Sequence, residues 1–418
     1  MTRVSKLAAL ALLLLLSASH QLSAQIGITT FEFSFSNPGA RSLGFGGAFV
    51  ALADDATAAF ANPAGLVQLA RTEVSAEGRL WNYQTPFTSG GRLSGLPTGV
   101  GLDDNQGLLL RFSEYSATLS GLSYLSFVYP KGDWSLAVYR HQLAKFESAI
   151  ETQGFFASTS SGETYRLADV RGANSFEIVT YGFSGAYRIN ENLSIGIGLS
   201  YFVGSTLILT EFYDPVESTL PEGPFGPNVY DPQAIRTFSE AAIDDTSLGA
   251  SLGLLWRISE QWSLAGVYRG APSFALSFED RSGPQLEPTF PAGTILDQDS
   301  GLDLDFPAVL GMGIAYRSKG GTTTVSFEWD RVFYSDLIES IERATPEEQH
   351  IVTEDANELR LGVEYVFLKF RPVLALRGGI WLDPDHRIQS VADDDLIARA
   401  FFRAGDDELH GALGVGIA

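Results

Sequence analysis

Segment 193–209 constrains the fold most strongly, because its residues alternate in character along almost its whole length. A helix would return an apolar residue every three or four positions, whereas a strand places successive side chains on opposite faces. The even positions are small or polar apart from Phe202 and Ile208, and the odd positions are apolar apart from Ser205: Leu193, Ile195, Ile197, Leu199, Tyr201, Val203, Leu207 and Leu209. The segment therefore predicts a β-strand with two unlike faces.

The same alternation recurs elsewhere, at 179–189, 245–258, 323–330 and 359–367, and less regularly at 117–129 and 134–146. The segments between these predicted strands are short and long in strict turn. Outer-membrane barrels have short turns at one end and long loops at the other, whereas a soluble β-sandwich has no such sorting. The pattern predicts an all-β fold, a transmembrane antiparallel β-barrel whose closed sheet pairs its own backbone in lipid.

Aromatic residues support this interpretation, because several lie within a few positions of the short segments. A barrel carries aromatic girdles at the two membrane interfaces. The residues concerned are Tyr129, Trp134, Tyr187, Trp256, Trp262 and Tyr316.

Residues 1–24 are identified as a secretory signal peptide that is cleaved after Ala24. Arg3 and Lys6 precede an apolar run, 7–16, and small residues follow it. The run is too short for a membrane helix, which needs roughly 20 apolar residues. The chain has no cysteine, and this suits an oxidising compartment. The predicted location is the outer membrane of a Gram-negative-type bacterium, in contact with its lipid.

Charge and motifs exclude several classes of function. A formal charge of -22 argues against nucleic acid, which needs a basic surface. The segment 249–253 reads Gly-Ala-Ser-Leu-Gly, but the nucleophile elbow requires a strand-to-helix turn and this segment lies inside a predicted strand. The histidines are scattered without metal-ligand spacing. We therefore expect no enzymatic activity, no cofactor and no metal.

Residues 37–66 belong neither to the signal peptide nor to the strands. Gly44, Gly46 and Gly47 permit backbone angles and close approaches that side chains block. Because the segment has too little apolar surface to fold alone, we expect it to pack inside the barrel as a hatch. The predicted domains are thus 1–24 signal peptide, 25–70 hatch and 71–418 barrel. Asp54 and Asp55 are expected to pair with inward-facing arginines, since an unpaired buried carboxylate costs several kcal/mol.

The last alternating segment, 409–418, is the twelfth predicted strand. The chain then ends on Gly-Ile-Ala, without the terminal aromatic residue that bacterial barrels usually carry. We therefore expect the barrel to be incomplete at its C-terminus and to lack its last strand or strands.

The stretch GARSLGFGGAFVALADDATAAFANPAGL, followed by the alternating barrel, resembles the FadL-type outer-membrane transporters of long-chain fatty acids and other hydrophobic molecules. Weaker resemblance extends to 306–337 and 358–383. In that family a hatch ending in Asn-Pro-Ala lies inside about fourteen strands, and the matching residues here are Asn62, Pro63 and Ala64. The resemblance implies passive uptake of hydrophobic molecules, with fatty acids as the expected cargo.

A second interpretation stays open, because PorV-like barrels of a secretion system share a similar N-terminal stretch. The chain would then be a structural or secretion-accessory barrel with a protein partner and without lipid transport.

Five residues are candidate ligand contacts. Phe202 interrupts the small face of its strand, and Arg269 and Arg377 lie in strands, where each faces inward and is placed to bind a carboxylate. Ion pairs that brace the barrel are the alternative role for these arginines. Phe212 and Phe225 belong to a proline-rich predicted loop and are expected to form an external apolar groove. Glycines in 193–209 further suggest a wall that bends and opens sideways.

Overall fold

A computed structural model of the chain describes ten segments. They are residues 37–92, 111–152, 155–158, 164–166, 169–213, 235–282, 301–344, 351–387, 389–390 and 405–418. The signal peptide prediction lies outside these residues. In the part of the chain that the structure describes, no helix has the length and apolar character to cross a membrane.

Strands dominate the described residues. They are β1 Glu73–Arg92, β2 Arg111–Lys131, β3 Trp134–Thr152, β4 Phe155–Ser158, β5 Thr164–Arg166, β6 Asp169–Arg188, β7 Leu193–Tyr213, β8 Ile235–Arg257, β9 Trp262–Arg269, β10 Ser273–Ser282, β11 Gly301–Asp305, β12 Val309–Arg317, β13 Thr323–Val332, β14 Ile351–Val352, β15 Ala356–Phe367, β16 Leu374–Asp383, β17 Gln389–Ser390 and β18 Glu408–Ile417. The helices are α1 Ala40–Gly44, α2 Ala58–Ala61, the 3-10 helix η1 Pro63–Gln68, and α3 Ser335–Ala344.

The barrel wall is an antiparallel meander in which neighbours in the sheet follow one another along the chain. Its order is β1-β2-β3-β6-β7-β8-β9-β12-β13-β15-β16-β18. Strand β10 continues β9 and pairs with β8 and β11, while β4 and β5 extend the sheet beyond β1. Within the described residues, β1 and β18 end this path and do not pair with each other.

The wall has an apolar outer face and a small or polar inner face. In β7 the outward Leu199 is 59% exposed, whereas the neighbouring inward Ser200 is 8% exposed. Tilted ring pairs lie on the outside near the short turns, with centroid separations of 4.5 Å for Trp134 and Tyr187 and 4.9 Å for Trp262 and Tyr316. This arrangement confirms the predicted β-barrel fold class, while the count of fourteen strands stays a prediction.

The wall is interrupted between β9 and β10, which the sequence pattern does not indicate. Pairing between β8 and β9 begins with Ser251 opposite Arg269, and pairing between β8 and β10 resumes only at Ala242 opposite Ser277. Across the gap, side chains of β8 replace the ladder: Asp245 accepts from the Ala275 amide at 2.9 Å and Ser247 from the Ser273 amide at 3.1 Å. By contrast, β7 stays paired with β6 along its whole length.

The sequence suggests that the glycines of β7 bend the wall. In the structure β7 stays paired with β6, so these glycines do not open the wall. A Cβ at Gly196 would lie 2.3 Å from the Ala64 amide nitrogen, and one at Gly204 would lie 2.9 Å from the Phe274 ring. These glycines are required by close packing against neighbouring groups, not by local flexibility.

The apolar outer face yields a test. Leu199→Arg would place a guanidinium on the lipid side in the middle of β7, which costs about 2–4 kcal/mol at the bilayer midplane. We expect the free energy of unfolding in lipid vesicles, measured by denaturant titration, to fall by that amount, whereas Leu199→Phe changes it little. Equal stability of the two variants would contradict the assigned face.

Candidate functional site

Residues 37–69, here called the plug segment, pack against the inner face of the wall. The segment contains α1, α2 and η1, and its described residues are almost all buried. Gly46 and Gly47 have φ values of 66° and 83°, which is the left-handed region that L side chains rarely adopt. A Cβ at Gly44 would lie 3.3 Å from the Gly414 Cα, so this part of the plug touches β18 main chain to main chain.

The Asn-Pro-Ala sequence starts η1 and fixes it to the wall. Asn62 is fully buried, and its Oδ1 caps η1 by accepting from the Ala64 amide at 3.1 Å. Its Nδ2 donates to the carbonyls of Val50 in the plug at 3.1 Å and Leu254 in β8 at 3.2 Å. Pro63 occupies the first helical position, where its missing amide hydrogen costs nothing.

Hydroxyl groups of the wall satisfy carbonyls of the plug backbone. Four of them donate over 2.6–3.0 Å: Ser184 to Ala59, Ser194 to Ala64, Ser263 to Ala51 and Tyr124 to Ala56. A buried carbonyl without a partner costs free energy. These hydroxyls on the inner face therefore stabilise the buried position of the plug segment.

Glu328 of β13 is the acidic counterpart of these hydroxyls. Its side chain is fully buried. Oε2 accepts from the successive amides of Phe49 at 2.7 Å and Val50 at 2.6 Å, and Oε1 accepts from Asn37 Nδ2 at 3.1 Å. Both carboxylate oxygens are therefore occupied by donors of the plug segment, which ties it to β13.

Ion pairs surround the same segment. Arg41 of α1 pairs with Asp54 and lies 3.4 Å from Glu364 of β15. Arg317 of β12 reaches the second oxygen of Asp54 at 2.5 Å. Asp55 lies 3.5 Å from Arg41. Ion pairs between the plug and inward side chains thereby join the plug to β12 and β15.

The pKa of Asp54 is set by two opposing effects. Burial raises it, but the charges of Arg41 and Arg317 and their hydrogen bonds together outweigh burial, so the pKa lies below the ordinary value. Because the folded-state pKa is lowered, this carboxylate stabilises the folded protein at neutral pH.

A cavity of about 30 Å³ lies between the plug and the wall, beside the interruption of the sheet. Its apolar lining includes Phe60 of the plug, Phe202 of β7 and Leu143 of β3, and residues 270–272 border it at the break. The polar part consists of Arg269 together with Tyr139 and Ser200, whose hydroxyls are 3.1 Å apart. Ligand sites typically combine an apolar lining with a few polar groups, as this cavity does, but they are larger, so the plug has to shift for a ligand to enter.

Among the described residues, Arg269 is the one guanidinium that lines this cavity. It is 7% exposed, and Nη1 donates to the Asn37 Oδ1 at 3.1 Å and the Ala61 carbonyl at 3.0 Å. Nη2 is buried and has no hydrogen-bond partner among the described residues. Arg269 therefore contacts the plug and the cavity at once.

The other predicted ligand contacts are distributed differently. Phe202 lines the cavity with Arg269, whereas Arg377 is paired with Glu364 at 2.6 Å and is absent from the cavity lining. Phe212 lies within β7, not in a loop, because that strand extends to Tyr213. Phe225 lies outside the described residues. The sequence does not assign Asn37, Glu328 or Tyr139 to a ligand site or to the attachment of the plug, since single polar residues carry no motif.

An antiparallel wall with an apolar outer face and a plugged interior defines a membrane-embedded barrel protein. The chain belongs to the outer membrane protein transport protein family (OMPP1/FadL/TodX), whose profile matches residues 128–394, more than half of the 418 residues. Members of this family are outer-membrane proteins that transport hydrophobic compounds. No curated protein sequence matches the chain at a significant level.

Three solved structures are similar to this chain. A FadL homologue of Pseudomonas aeruginosa has a TM-score of 0.50 at 13% identity, with 94% of this chain and 98% of that chain covered. The toluene transporter TodX of Pseudomonas putida has a TM-score of 0.48 at 14% identity, covering 90% and 88%. The monoaromatic hydrocarbon channel CymD has a TM-score of 0.46 at 16% identity, covering 86% of each chain.

Glu328→Gln tests the attachment of the plug. In this variant an NH2 group replaces one carboxylate oxygen. In either orientation the NH2 group faces another donor, either the plug amides or the Asn37 amide group, and the hydrogen bond at that position is lost. We expect hydrogen exchange at Phe49 and Val50 to become roughly tenfold to a hundredfold faster, as loss of hydrogen bonds to a charged group implies. Ser326→Ala, two residues away on β13, removes a buried hydroxyl without a partner in the described structure and serves as the control.

The Asp54 ion pairs predict a pH dependence. Their contribution is complete above the ordinary aspartate pKa of about 3.9 and disappears as the pH falls through the lower folded-state pKa. A nitroxide on Ala40→Cys, at an exposed position beside Arg41, should therefore gain mobility only at strongly acidic pH. Adding Asp54→Asn should make it mobile already at pH 7. Equal mobility of both proteins at pH 7 would contradict the assigned role of Asp54.

Proposed function

We propose that the protein carries hydrophobic molecules, with long-chain fatty acids as cargo, passively across the outer membrane of a Gram-negative bacterium. The observation that supports this most directly is the apolar cavity between the plug and the wall, bordered by Phe60, Phe202 and Arg269. Family membership supports the transport of hydrophobic compounds in general. Relatives named for toluene and monoaromatic hydrocarbons share the fold, so the cargo has to be identified by experiment.

In the proposed mechanism, the cargo enters the cavity with its chain against Phe60 and Phe202 and its carboxylate at Arg269. The plug segment acts as the hatch and has to shift before the cargo leaves on the side of the short turns. Arg377 braces the barrel through Glu364 in this mechanism. Transport requires no covalent step. Export of the protein is proposed to use the signal peptide, which is cleaved after Ala24.

A second cavity, of about 50 Å³, supports an exit at the short-turn end. It is lined by the plug residues Leu52 and Gln68 and by Arg257, Trp262 and Arg317 of the wall near two short turns. Both cavities are lined by plug residues, so a shift of the plug would change both of them. Asn62, Pro63 and Ala64 are the proposed pivot, because they fix η1 to β7 and β8.

Fatty-acid uptake by cells that lack their own transporter tests the proposal. Cells producing the wild-type protein should accumulate labelled oleate, and Ser200→Leu should reduce uptake to the level of cells without the protein, because the larger side chain fills the cavity. Ser205→Leu makes the same change on the lipid side of β7 and should leave uptake unaffected.

Mass spectrometry of lipids retained by the protein in mild detergent identifies the cargo independently. Bound fatty acid would support the proposal. Bound hydrocarbon would support transport of hydrophobic molecules but would identify a hydrocarbon as the cargo. An empty barrel that copurifies with another protein would instead favour the secretion-accessory role.

A further inference from the structure

Arg269 occupies an unusual position for a buried guanidinium. Its guanidinium carbon lies 5.7 Å from the centroid of the Phe60 ring, with Phe60 also forming the plug side of the cavity. Among the described residues, no carboxylate lies within 4.0 Å of Arg269, whereas Arg360 has two and Arg377 has one. A buried charge without a counterion is costly, so this arginine is the natural partner of an anionic group in the cavity.

A chain of hydrogen bonds leads from Arg269 to the plug backbone. Arg269 Nη1 donates to Asn37 Oδ1, Asn37 Nδ2 donates to Glu328 Oε1, and Glu328 Oε2 accepts from the amides of Phe49 and Val50. Asn37 thus lies between the cavity arginine and the carboxylate that holds the plug. Arg269 also holds the plug directly through the Ala61 carbonyl.

We infer that Arg269 is a latch for which the cargo and the plug compete. A carboxylate in the cavity accepts charge-assisted hydrogen bonds from both Nη2 and Nη1, and these are stronger than the bonds to the Asn37 amide oxygen and the Ala61 carbonyl. Arg269 then turns from the plug to the cargo, and Asn37 loses the partner that orients it towards Glu328. The plug is loosened by cargo that bears an anionic head and not by cargo that lacks one.

This latch rests on the proposed transport function and adds a selection step to it. A plain hydrocarbon fills the same apolar lining but offers no acceptor, so Arg269 keeps its bonds to the plug. The differential affinity of the two plug states for an anionic head is what shifts the plug, as any ligand-driven change requires.

Spin labelling tests the latch, since the chain has no native cysteine and a single nitroxide on Ala40→Cys reports the plug alone. Laurate and dodecane serve as matched probes with and without a carboxylate, and ligand retention is measured in parallel by mass spectrometry. We expect both probes to bind and only laurate to mobilise the label.

Arg269→Met should weaken laurate binding roughly tenfold to a hundredfold, as expected for loss of a charge-assisted bond, and the label should be mobile without ligand. Asn37→Ala covers the case in which that variant fails to fold: it keeps the cavity arginine, so laurate still binds, but the laurate-induced increase in mobility is lost. Arg188→Met is the matched control. Arg188 also donates to the plug, at the Val67 carbonyl, but it does not line the cavity, so this variant should keep the laurate response.

The outcomes separate the latch from transport. If laurate binds without mobilising the label, or dodecane mobilises it equally, the latch is wrong and the transport proposal stands. If neither probe binds, both proposals are wrong. A laurate response that persists in Arg269→Met with unchanged affinity would also overturn the latch.

Discussion

The structure depends on one constraint, which is that a largely irregular peptide segment lies inside a barrel where water is scarce. Its amides and carbonyls need partners, and the wall supplies them from four serine or tyrosine hydroxyls and from the Glu328 carboxylate. Beside these hydrogen bonds, glycines such as Gly196 let the two main chains approach each other closely. The inner face is therefore shaped to a specific peptide, and its polarity does not indicate a water-filled channel.

Sequence reasoning went furthest where the signal is local. Alternation over 193–209 and short turns beside it are properties of neighbouring residues, so the barrel class follows from them. Strand ends were less predictable, because β7 continues to Tyr213 through residues assigned to a loop. The break at 270–272 carries a proline but depends on how β8 and β10 pair. Asn37 and Glu328 lie 291 residues apart, and a contact over that separation leaves no trace in one sequence.

The arginines show why composition alone cannot assign a binding role. Several face inward, and from the sequence each could either form an ion pair within the barrel or contact a ligand. The fold separates them: Arg360 and Arg377 are paired with carboxylates of neighbouring strands, whereas Arg269 is placed where β9 ends and the cavity begins. The interruption of the wall both creates the cavity and leaves this arginine at its edge, so the irregular part of the barrel is where ligand chemistry becomes possible.

The long separation between the plug and its partners also bears on how the protein is assembled. The plug is synthesised first, yet Glu328 is 278 residues beyond Val50, and Gly44 packs against Gly414 in the last strand. Contacts of such high sequence separation form slowly, because the intervening chain must be ordered before they are gained. The plug therefore cannot reach its final position until the C-terminal strands have joined the wall. The segment that is synthesised before the wall is therefore among the last parts of the chain to become ordered.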